Sequence, residues 1–538
     1  MLPSSQSQQA SHDEKTTFSR PSITNDAQKT TKTMVILSVW MSFAAWIANF
    51  DNGYGGTVLI MPSFKKAFGH CHVATDPTTG VMIEECSLSA LQQSLIGVGS
   101  LFMAVGGAFA GVTGTYIGRK GTIQFACALC IIGAAGMLGT AGNFLNYMVC
   151  KCISSVGIGQ LMASSIIYGS ECTAANKRGL LLGLYNVGLG LGNVTAYAVC
   201  AGSATLAPNT NWQWKTPIVC QIPLALILGV GMVMFAESPR WLLIKGRDEA
   251  ARKSFGIFHQ MDPFSMQITA QIEDVKRHIE FENALNVNTS WTEIYCGNNL
   301  RRTTISAFIL VGLAITGIQF VAPYAALFLS GVGIRNSYLI NVIIGLCIFG
   351  GSCIGPFVLE YGGRRFSMLV GYTSMALCML IFSSVSTSLG STDPVAQKVV
   401  VVFLCLWAFI FGGFIGPSVW LASAEMHSVR LRTYGQANTT VFYQIFAFGA
   451  TFWTPYMLNE GYGNMGPNVG YFYFGVTFIV GLLVFLFVPE TARLTLEQID
   501  DYFVSGRMAW RTSISKNKAI VCIEAFDLSE AAKNGGQS

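Results

Sequence analysis

Long apolar stretches recur along most of the chain and are separated by short polar segments. A helix needs about 20 mostly apolar residues to cross the hydrocarbon core of a bilayer. These stretches are too long and too uniformly apolar to be strands of a transmembrane barrel, so the pattern predicts an all-α membrane protein. The twelve predicted spans lie at residues 35–60, 88–110, 121–142, 145–170, 180–201, 216–236, 303–330, 337–359, 366–388, 398–424, 435–457 and 469–488.

The longest polar interruption, residues 237–302, divides the spans into two groups of six. It is charged and contains helix-like stretches, so we expect a helical insert there. Residues 1–33 are rich in Ser, Gln and Thr and lack an apolar stretch, which is typical of a disordered tail and not of a signal peptide. The predicted organisation is a tail at 1–33, a first half at 34–236, a helical linker at 237–302, a second half at 303–490 and a second tail at 491–538.

Basic residues predict the orientation of the spans, because Lys and Arg are concentrated in short cytosolic loops. Alternate loops of this chain differ strongly in their basic content. The more basic set predicts that the linker and both tails are cytosolic. That set carries Arg119/Lys120, Lys177/Arg178, Arg301/Arg302, Arg364/Arg365 and Arg430/Arg432.

The composition excludes several other classes of protein. Only 11% of the 538 residues are charged, whereas soluble chains carry roughly 25%. The net charge of +5 comes from short clusters between apolar stretches, so we expect no nucleic-acid partner. The sequence shows neither a nucleophile–base pattern nor a metal-binding pattern, so we expect neither an enzyme nor a metal site. The expected partners are a small solute and the lipid bilayer, with the chain as a monomer.

Most of the 15 cysteines lie inside apolar stretches, where they are small buried residues. Cys71 and Cys86 instead flank a polar loop that is predicted to lie outside the cell, where disulfides can form. The sequence leaves open whether these two are joined.

Charged residues lie deep within two predicted spans, Asp51 in span 1 and Lys151 in span 4. An ionisable group inside a membrane is costly and by default suggests function. If burial favours the neutral acid, Asp51 is able to bind and release a proton. We therefore predict that Asp51 and Lys151 form a proton-coupling pair; a purely structural ion pair is the alternative.

A six-helix repeat is visible in the loops. Gly118-Arg119-Lys120 follows span 2, and Gly363-Arg364-Arg365 follows span 8. Glu171 ends span 4 with Arg178 seven residues later, and Glu425 ends span 10 with Arg432 seven residues later. Such a repeat is expected of transporters whose halves rock against each other. The predicted gate latch comprises Arg119, Glu171, Arg178, Glu237, Arg240, Glu360, Arg364, Glu425, Arg432 and Glu490.

Four short motifs near the span ends are specific. They are Tyr168-Gly169-Ser170-Glu171 with Arg178-Gly179, Glu237-Ser238-Pro239-Arg240-Trp241-Leu242, Gly416-Pro417-x-x-Trp420, and Pro489-Glu490-Thr491. Together they resemble the sugar porter family of the major facilitator superfamily, and the similarity extends over about residues 45–503. Finer details are similar to fungal hexose and disaccharide permeases. The resemblance implies the major facilitator fold and transport of a sugar.

The resemblance also implies site residues. Family members stack an aromatic ring on the sugar at the place of Trp420, and the predicted solute-binding residues are Asn186, Gln319, Tyr324 and Trp420. The family's proton symporters place Arg where this chain has Lys151.

The chain departs from the family pattern at two places. Leu313 and Ala314 replace two amides that hold sugar hydroxyls in the family, and Thr115 and Tyr116 replace an Asp-Arg pair after span 2. The sequence therefore supports the scaffold better than it supports the sugar site.

The leading prediction is a proton-coupled importer of a sugar or sugar-like solute in a fungal plasma membrane, with the proton as coupling ion and no other cofactor. Two alternatives stay open. One is the same fold moving a quinate-like acid, a polyol or an exported secondary metabolite, which Leu313 and Ala314 favour. The other is a non-transporting nutrient sensor.

Overall fold

The computed structural model describes residues 31–75, 82–140, 142–173, 178–208, 210–286, 290–334, 336–390, 393–428, 430–459, 461–494, 496–505 and 508–517. Long helices occupy all twelve predicted positions. Spans 1 to 6 are Lys32–Ile60, Ala90–Tyr116, Gly118–Leu138, Phe144–Cys172, Arg178–Ser203 and Trp212–Met234. Spans 7 to 12 are Gly297–Gly331, Ser337–Gly362, Arg364–Leu389, Pro394–Glu425, Arg432–Leu458 and Gly466–Phe487.

Ten of these described helices are long and apolar enough to cross a membrane. Spans 5 and 11 are as long, at 26 and 27 residues, but more polar. Asn186 and Asn193 lie in span 5, and Gln436, Asn438 and Gln444 lie in span 11. Polar residues in a membrane helix face the interior of the bundle or a water-filled cavity.

A β-hairpin that the sequence analysis did not predict follows span 1. After the short helix Pro62–Phe68, strand β1 (His70–Thr75) pairs antiparallel with strand β2 (Met82–Ser87). Cys71 lies directly opposite Cys86, and a disulfide joins them. We call the membrane surface that carries this hairpin the hairpin face. The opposite surface, where span 2 turns into span 3 and span 8 into span 9, is the latch face.

In its described residues, the insert forms three α-helices on the latch face, Pro239–Ile244, Asp248–His259 and Met266–Asn286, followed by the short 3₁₀ helix Trp291–Tyr295. The three α-helices pack around a small apolar core of their own that includes Trp241, Phe255 and Ile268. The hydroxyl of Thr31, which caps span 1, donates to the carbonyl of Phe258 at 2.6 Å. The insert is thereby attached to the start of the first half.

Equivalent spans of the two halves pack through glycines. A Cβ on Gly159 of span 4 would lie 2.0 Å from the carbonyl oxygen of Met103 in span 2. A Cβ on Gly351 of span 8 would lie 2.3 Å from the carbonyl oxygen of Phe409 in span 10. Small residues let membrane helices approach this closely. The same contact therefore recurs between spans 2 and 4 and between spans 8 and 10.

Two spans of the second half are irregular near their middle. Span 7 breaks at Ala314–Ile318, where Gly317 has a φ of 107°, and span 10 contains a π-helical turn at Phe411–Ile415. Broken helices of this kind commonly line the binding sites of transporters. Leu313 lies immediately before the break in span 7 and Ala314 is its first residue, and both are buried.

The two halves are held together toward the hairpin face. Side-chain hydroxyls donate to backbone carbonyls of the other half, from Tyr324 to Gln93, from Ser94 to Phe452 and from Tyr197 to Ala322, at 2.9, 2.7 and 2.9 Å. In the described residues, the hydrogen bonds between side chains of one half and atoms of the other lie in this region or near the middle of the membrane. The conformation is therefore closed toward the hairpin face.

Candidate transport site

Asp51 and Lys151 form a buried ion pair, as their positions in spans 1 and 4 predicted. Lys151 Nζ lies 2.7 Å from Asp51 Oδ2 and 3.4 Å from the Asp51 carbonyl oxygen. Asp51 is fully buried and Lys151 is 5% exposed. A buried ion pair offsets its desolvation only when further hydrogen bonds satisfy both groups.

Tyr54 and Gln221 supply those further contacts, and the sequence analysis did not identify either as part of the pair. The Tyr54 hydroxyl lies 2.9 Å from Asp51 Oδ1 and 2.9 Å from the Gln221 amide, which in turn approaches Ser154 Oγ at 3.4 Å. The Tyr54 hydroxyl faces two acceptor oxygens, Asp51 Oδ1 and Gln221 Oε1, and its single proton binds more strongly to the charged carboxylate. Lys151 Nζ also lies 4.8 Å from the centre of the Tyr54 ring, a cation–π distance.

The contact between Tyr54 and Asp51 could have been predicted from the sequence, because the two residues are three apart in span 1 and such residues are neighbours on a helix. No comparable signal exists for Gln221. It lies in span 6 and reaches Tyr54 only because spans 1 and 6 pack together.

Two predicted solute-binding residues come together around a third residue. Gln319 begins the helix after the break in span 7 and lies beside the hydroxyl of Tyr443. The rings of Trp420 and Tyr443 are 5.1 Å apart in an edge-to-face arrangement. Trp420 is 39% exposed. This amide–aromatic cluster, Gln319–Tyr443–Trp420, suits a solute with hydroxyl groups and an apolar face.

The other two predicted residues lie apart from this cluster. Asn186 Nδ2 is 3.5 Å from the carbonyl oxygen of Ser352, between spans 5 and 8. Tyr324 is fully buried and donates to Gln93 across the closed interface. In this conformation Tyr324 seals the interface and presents no surface to a solute.

The predicted latch residues of the first half form a cluster at the latch face. Arg119 donates from Nε and Nη2 to the two carboxylate oxygens of Glu171, at 3.1 and 3.0 Å. The hydroxyl of Ser238 donates to Glu171 at 2.6 Å. Glu237 Oε1 accepts from the backbone N–H groups of Arg119 and Lys120 at 2.9 and 3.1 Å. The ends of spans 3, 4 and 6 are thus joined.

The second half repeats this cluster residue by residue. Arg364 donates to Glu425 at 3.1 and 2.8 Å, and the hydroxyl of Thr491 donates to Glu425 at 2.6 Å. Glu490 accepts from the backbone N–H groups of Arg364 and Arg365 at 3.0 and 3.1 Å. Each cluster lies within its own half.

A glycine with positive φ permits both turns. Gly118 and Gly363 have φ values of 87° and 81°. Added Cβ atoms would lie 2.4 Å from Glu237 Oε2 and 2.7 Å from Glu490 Oε2. Glycine is therefore required on two counts, for the backbone conformation and for the approach of the carboxylate.

The remaining predicted latch residues lie outside these hydrogen bonds. Glu425 pairs with Arg364, so the spacing of seven residues to Arg432 did not identify its partner; Arg432 begins span 11 on the far side of a loop. Arg240 begins the short helix after Glu237, and Glu360 is exposed near the end of span 8. The side chain of Arg178 lies outside the part of the chain that the structure describes.

His427 lies in the loop between spans 10 and 11, and its surroundings predict that the folded protein is less stable at acidic pH. It is buried, and its burial and the nearby charges of Arg432 and Arg302 lower the pKa of its imidazole to about 4. Between the ordinary value of 6.5 and about 4, the unfolded chain binds a proton that the folded chain does not. Stability is therefore expected to fall as the pH falls through this window, by roughly 2–3 kcal/mol.

Thermal unfolding of the purified protein in detergent at pH 7.5 and pH 5 measures this effect. His427→Gln should lose less stability at acidic pH than the wild type does. The exposed His278 provides the control, because His278→Gln should keep the wild-type sensitivity. Equal losses in His427→Gln and the wild type would contradict the assignment.

Twelve spans in two equivalent halves, a buried charge pair and an interface closed toward one face define a membrane transporter that works by alternating access. The comparisons with known proteins specify the class further. The sugar (and other) transporter family matches residues 37–503, and the chain belongs to this family. It is a multi-pass membrane transporter and not an enzyme.

Similar curated proteins are fungal. The high-affinity glucose transporter ght2 of Schizosaccharomyces pombe is 28% identical over 488 residues, which cover 89% of this chain and 88% of that protein. The high-affinity fructose transporter ght6 of the same yeast is 26% identical over 483 residues, covering 89% and 88%. Among solved structures, the proton:xylose symporter XylE of E. coli, bound to 6-bromo-6-deoxy-D-glucose, superposes with a TM-score of 0.69 at 19% identity, covering 88% of this chain and 100% of that chain. The predicted major facilitator fold is thereby confirmed.

Proposed function

We propose that this protein is a proton-coupled symporter that imports a hexose or a similar polyhydroxylated solute. The observation that carries the proposal is the buried Asp51–Lys151 pair within a member of a sugar transporter family. The names of similar proteins, which include a glucose transporter, a fructose transporter and a proton:xylose symporter, support the solute class and the coupling ion.

The proposed placement is a fungal plasma membrane, with the latch face and both termini in the cytosol and the chain acting as a monomer. Two arguments support the orientation. The basic residues concentrate at the latch face, as in cytosolic loops. The disulfide Cys71–Cys86 lies on the hairpin face, and disulfides persist outside the cytosol.

Coupling follows from the exchange of partners around Lys151. While Asp51 is ionised, it holds the ammonium of Lys151 and ties span 1 to span 4. Protonation of Asp51 removes the attraction between opposite charges, while the ammonium keeps its contacts with the Asp51 carbonyl oxygen and the Tyr54 ring. The weakened tie between the two spans changes the balance between the conformations, as a symporter requires.

Uptake of radiolabelled solutes by a yeast strain that lacks its own hexose transporters tests the proposal. The panel contains glucose, fructose, xylose, a polyol and quinate, each at pH 5 and pH 7.5. We expect accumulation of a hexose that is stronger at pH 5. If no solute enters, the protein is not an importer, and the sensor or exporter alternative gains support.

A specific observation favours a non-sugar solute as the second candidate. Leu313 and Ala314 are apolar and buried, so they offer no hydrogen bond where sugar porters carry two amides. Uptake of quinate or the polyol without any hexose would favour this candidate.

Tyr54→Phe is expected to change the pH dependence of uptake, because it removes a hydrogen bond to the charged Asp51 carboxylate that contributes about 1.5–3 kcal/mol. Phe keeps the ring beside Lys151 but cannot donate to Asp51. The carboxylate loses this stabilisation, so proton-coupled uptake is expected to persist to higher pH.

Initial uptake rates between pH 4.5 and pH 8.5 measure this shift. Tyr471→Phe is the control, because the Tyr471 hydroxyl contacts Ser384 in the second half, away from both the ion pair and the amide–aromatic cluster. An unchanged pH profile in Tyr54→Phe would show that the hydroxyl does not act on Asp51.

A further inference from the structure

Asn341 and Thr57 meet across the closed interface. Asn341 lies about one turn inside span 8, and Thr57 lies near the hairpin end of span 1. Asn341 Nδ2 donates to Thr57 Oγ1 at 3.0 Å. Each of the two residues is 1% exposed. The pair belongs to neither the ion-pair network nor the amide–aromatic cluster.

The carbonyl oxygen of the Asn341 amide accepts no hydrogen bond from the described residues. The Thr57 hydroxyl donates its single proton to the carbonyl of Gly53 at 3.2 Å, so its oxygen accepts from Asn341 and fixes the orientation of the amide. Asn341 Oδ1 is then buried without a hydrogen-bond partner among the described residues. Burial of a carbonyl oxygen without a hydrogen bond costs free energy. The closed interface therefore does not explain why an amide lies at position 341. A donor that reaches Asn341 Oδ1 in another conformation would explain it.

The neighbouring contacts across the interface are of a different kind. Tyr324, Tyr197 and Ser94 each donate to a backbone carbonyl of the other half. The hydrogen bond between Thr57 and Asn341 instead connects two side chains. When the hairpin face opens, a hydroxyl on one half and a complete amide on the other become free together. A hydroxyl group of a sugar both donates and accepts, so it satisfies such a pair.

We propose that Thr57 and Asn341 form an outer subsite that binds hydroxyl groups of the solute when the hairpin face is open. Closure replaces the solute by the Thr57–Asn341 hydrogen bond and leaves the solute to the Gln319–Tyr443–Trp420 cluster. The subsite rests on the proposed transport of a hydroxylated solute and adds a contact that the solute meets first.

Uptake kinetics with deoxy sugars test the subsite. Asn341→Leu removes the amide, and Thr57→Val removes the hydroxyl at nearly constant volume. We expect each to raise the half-saturation concentration of hexose uptake about tenfold, as the loss of one good hydrogen bond does. The wild type should discriminate against one monodeoxyglucose, and both variants should lose that discrimination. Thr454→Val is the control, because the Thr454 hydroxyl bonds to Ala450 and Tyr473 of its own half.

The outcomes separate the two proposals. If the wild type takes up hexose and both variants keep its half-saturation concentration and its ranking of deoxy sugars, the subsite is wrong and the transport function stands. If the wild type takes up no hydroxylated solute, the proposed function and the subsite both fail. A variant that does not reach the membrane is replaced in the comparison by the other, since each removes one side of the same contact.

Discussion

Asp51→Asn is expected to abolish pH-dependent accumulation of the solute and to lower the free energy of unfolding by about 3–5 kcal/mol, the usual cost of leaving one partner of a buried ion pair unpaired. The amide cannot balance the charge of Lys151, which is buried beside it. Lys151→Met should have a similar effect on stability, because it leaves the buried carboxylate without its cation and with the Tyr54 hydroxyl as a neutral donor. Accumulation and thermal unfolding are measured on the same variants.

The double variant Asp51→Asn/Lys151→Met separates coupling from stability. It buries no unpaired charge, so most of the lost stability should return, while accumulation stays absent. Exchange of labelled for unlabelled solute should continue, since the solute cluster is unchanged. If the double variant accumulates solute as the wild type does, the pair is structural and another group couples the proton.

Gly56→Ala is expected to prevent closure of the hairpin face. A Cβ on Gly56 would lie 1.8 Å from the carbonyl oxygen of Pro323, which is backbone and cannot rotate away. Overpacking of a close contact typically costs 1–3 kcal/mol or more. The cost falls only on the closed state, so the population shifts toward the state that is open at the hairpin face, and uptake falls at least about tenfold.

Gly55→Ala is the matched control for this prediction. The nearest atoms to its added Cβ, from Ile96 and Lys151, lie at 3.9 Å, an ordinary contact distance. Spin labels at the exposed positions Leu206 and Leu389 report the separation of the halves at the hairpin face. The distance should lengthen in Gly56→Ala and stay unchanged in Gly55→Ala. Equal distances and equal uptake in the two variants would contradict the tight contact.

Much of the fold was predictable because the bilayer imposes a length on each span. Even the more polar spans 5 and 11 were placed from the sequence. The hairpin after span 1 was not predicted, because its two strands are short and lie in a loop without a strong alternation of polar and apolar residues. The breaks in spans 7 and 10 depend on how the helices pack around Gly317 and Phe411–Ile415. The apolar pattern of the sequence places a span but does not show where its helix becomes irregular.

The site was predictable only in part. Asp51 and Lys151 stood out as charges in apolar stretches, and the structure places them in contact. The partner of Glu425 was missed, because Arg364 is distant in sequence and reaches it through the packing of span 9 against span 10. Tyr443 was missed for the same reason, since an aromatic residue in a membrane helix has no distinctive signal until its neighbours are known.

The most direct measurement of the account is solute-driven proton movement through the purified protein in liposomes that contain a pH-sensitive dye. Addition of the transported hexose outside wild-type liposomes should acidify the lumen as the sugar enters. The Asp51→Asn/Lys151→Met variant should admit the sugar without acidification. Entry of sugar into wild-type liposomes with no proton movement, or undiminished acidification by the double variant, would contradict a proton coupled through this pair.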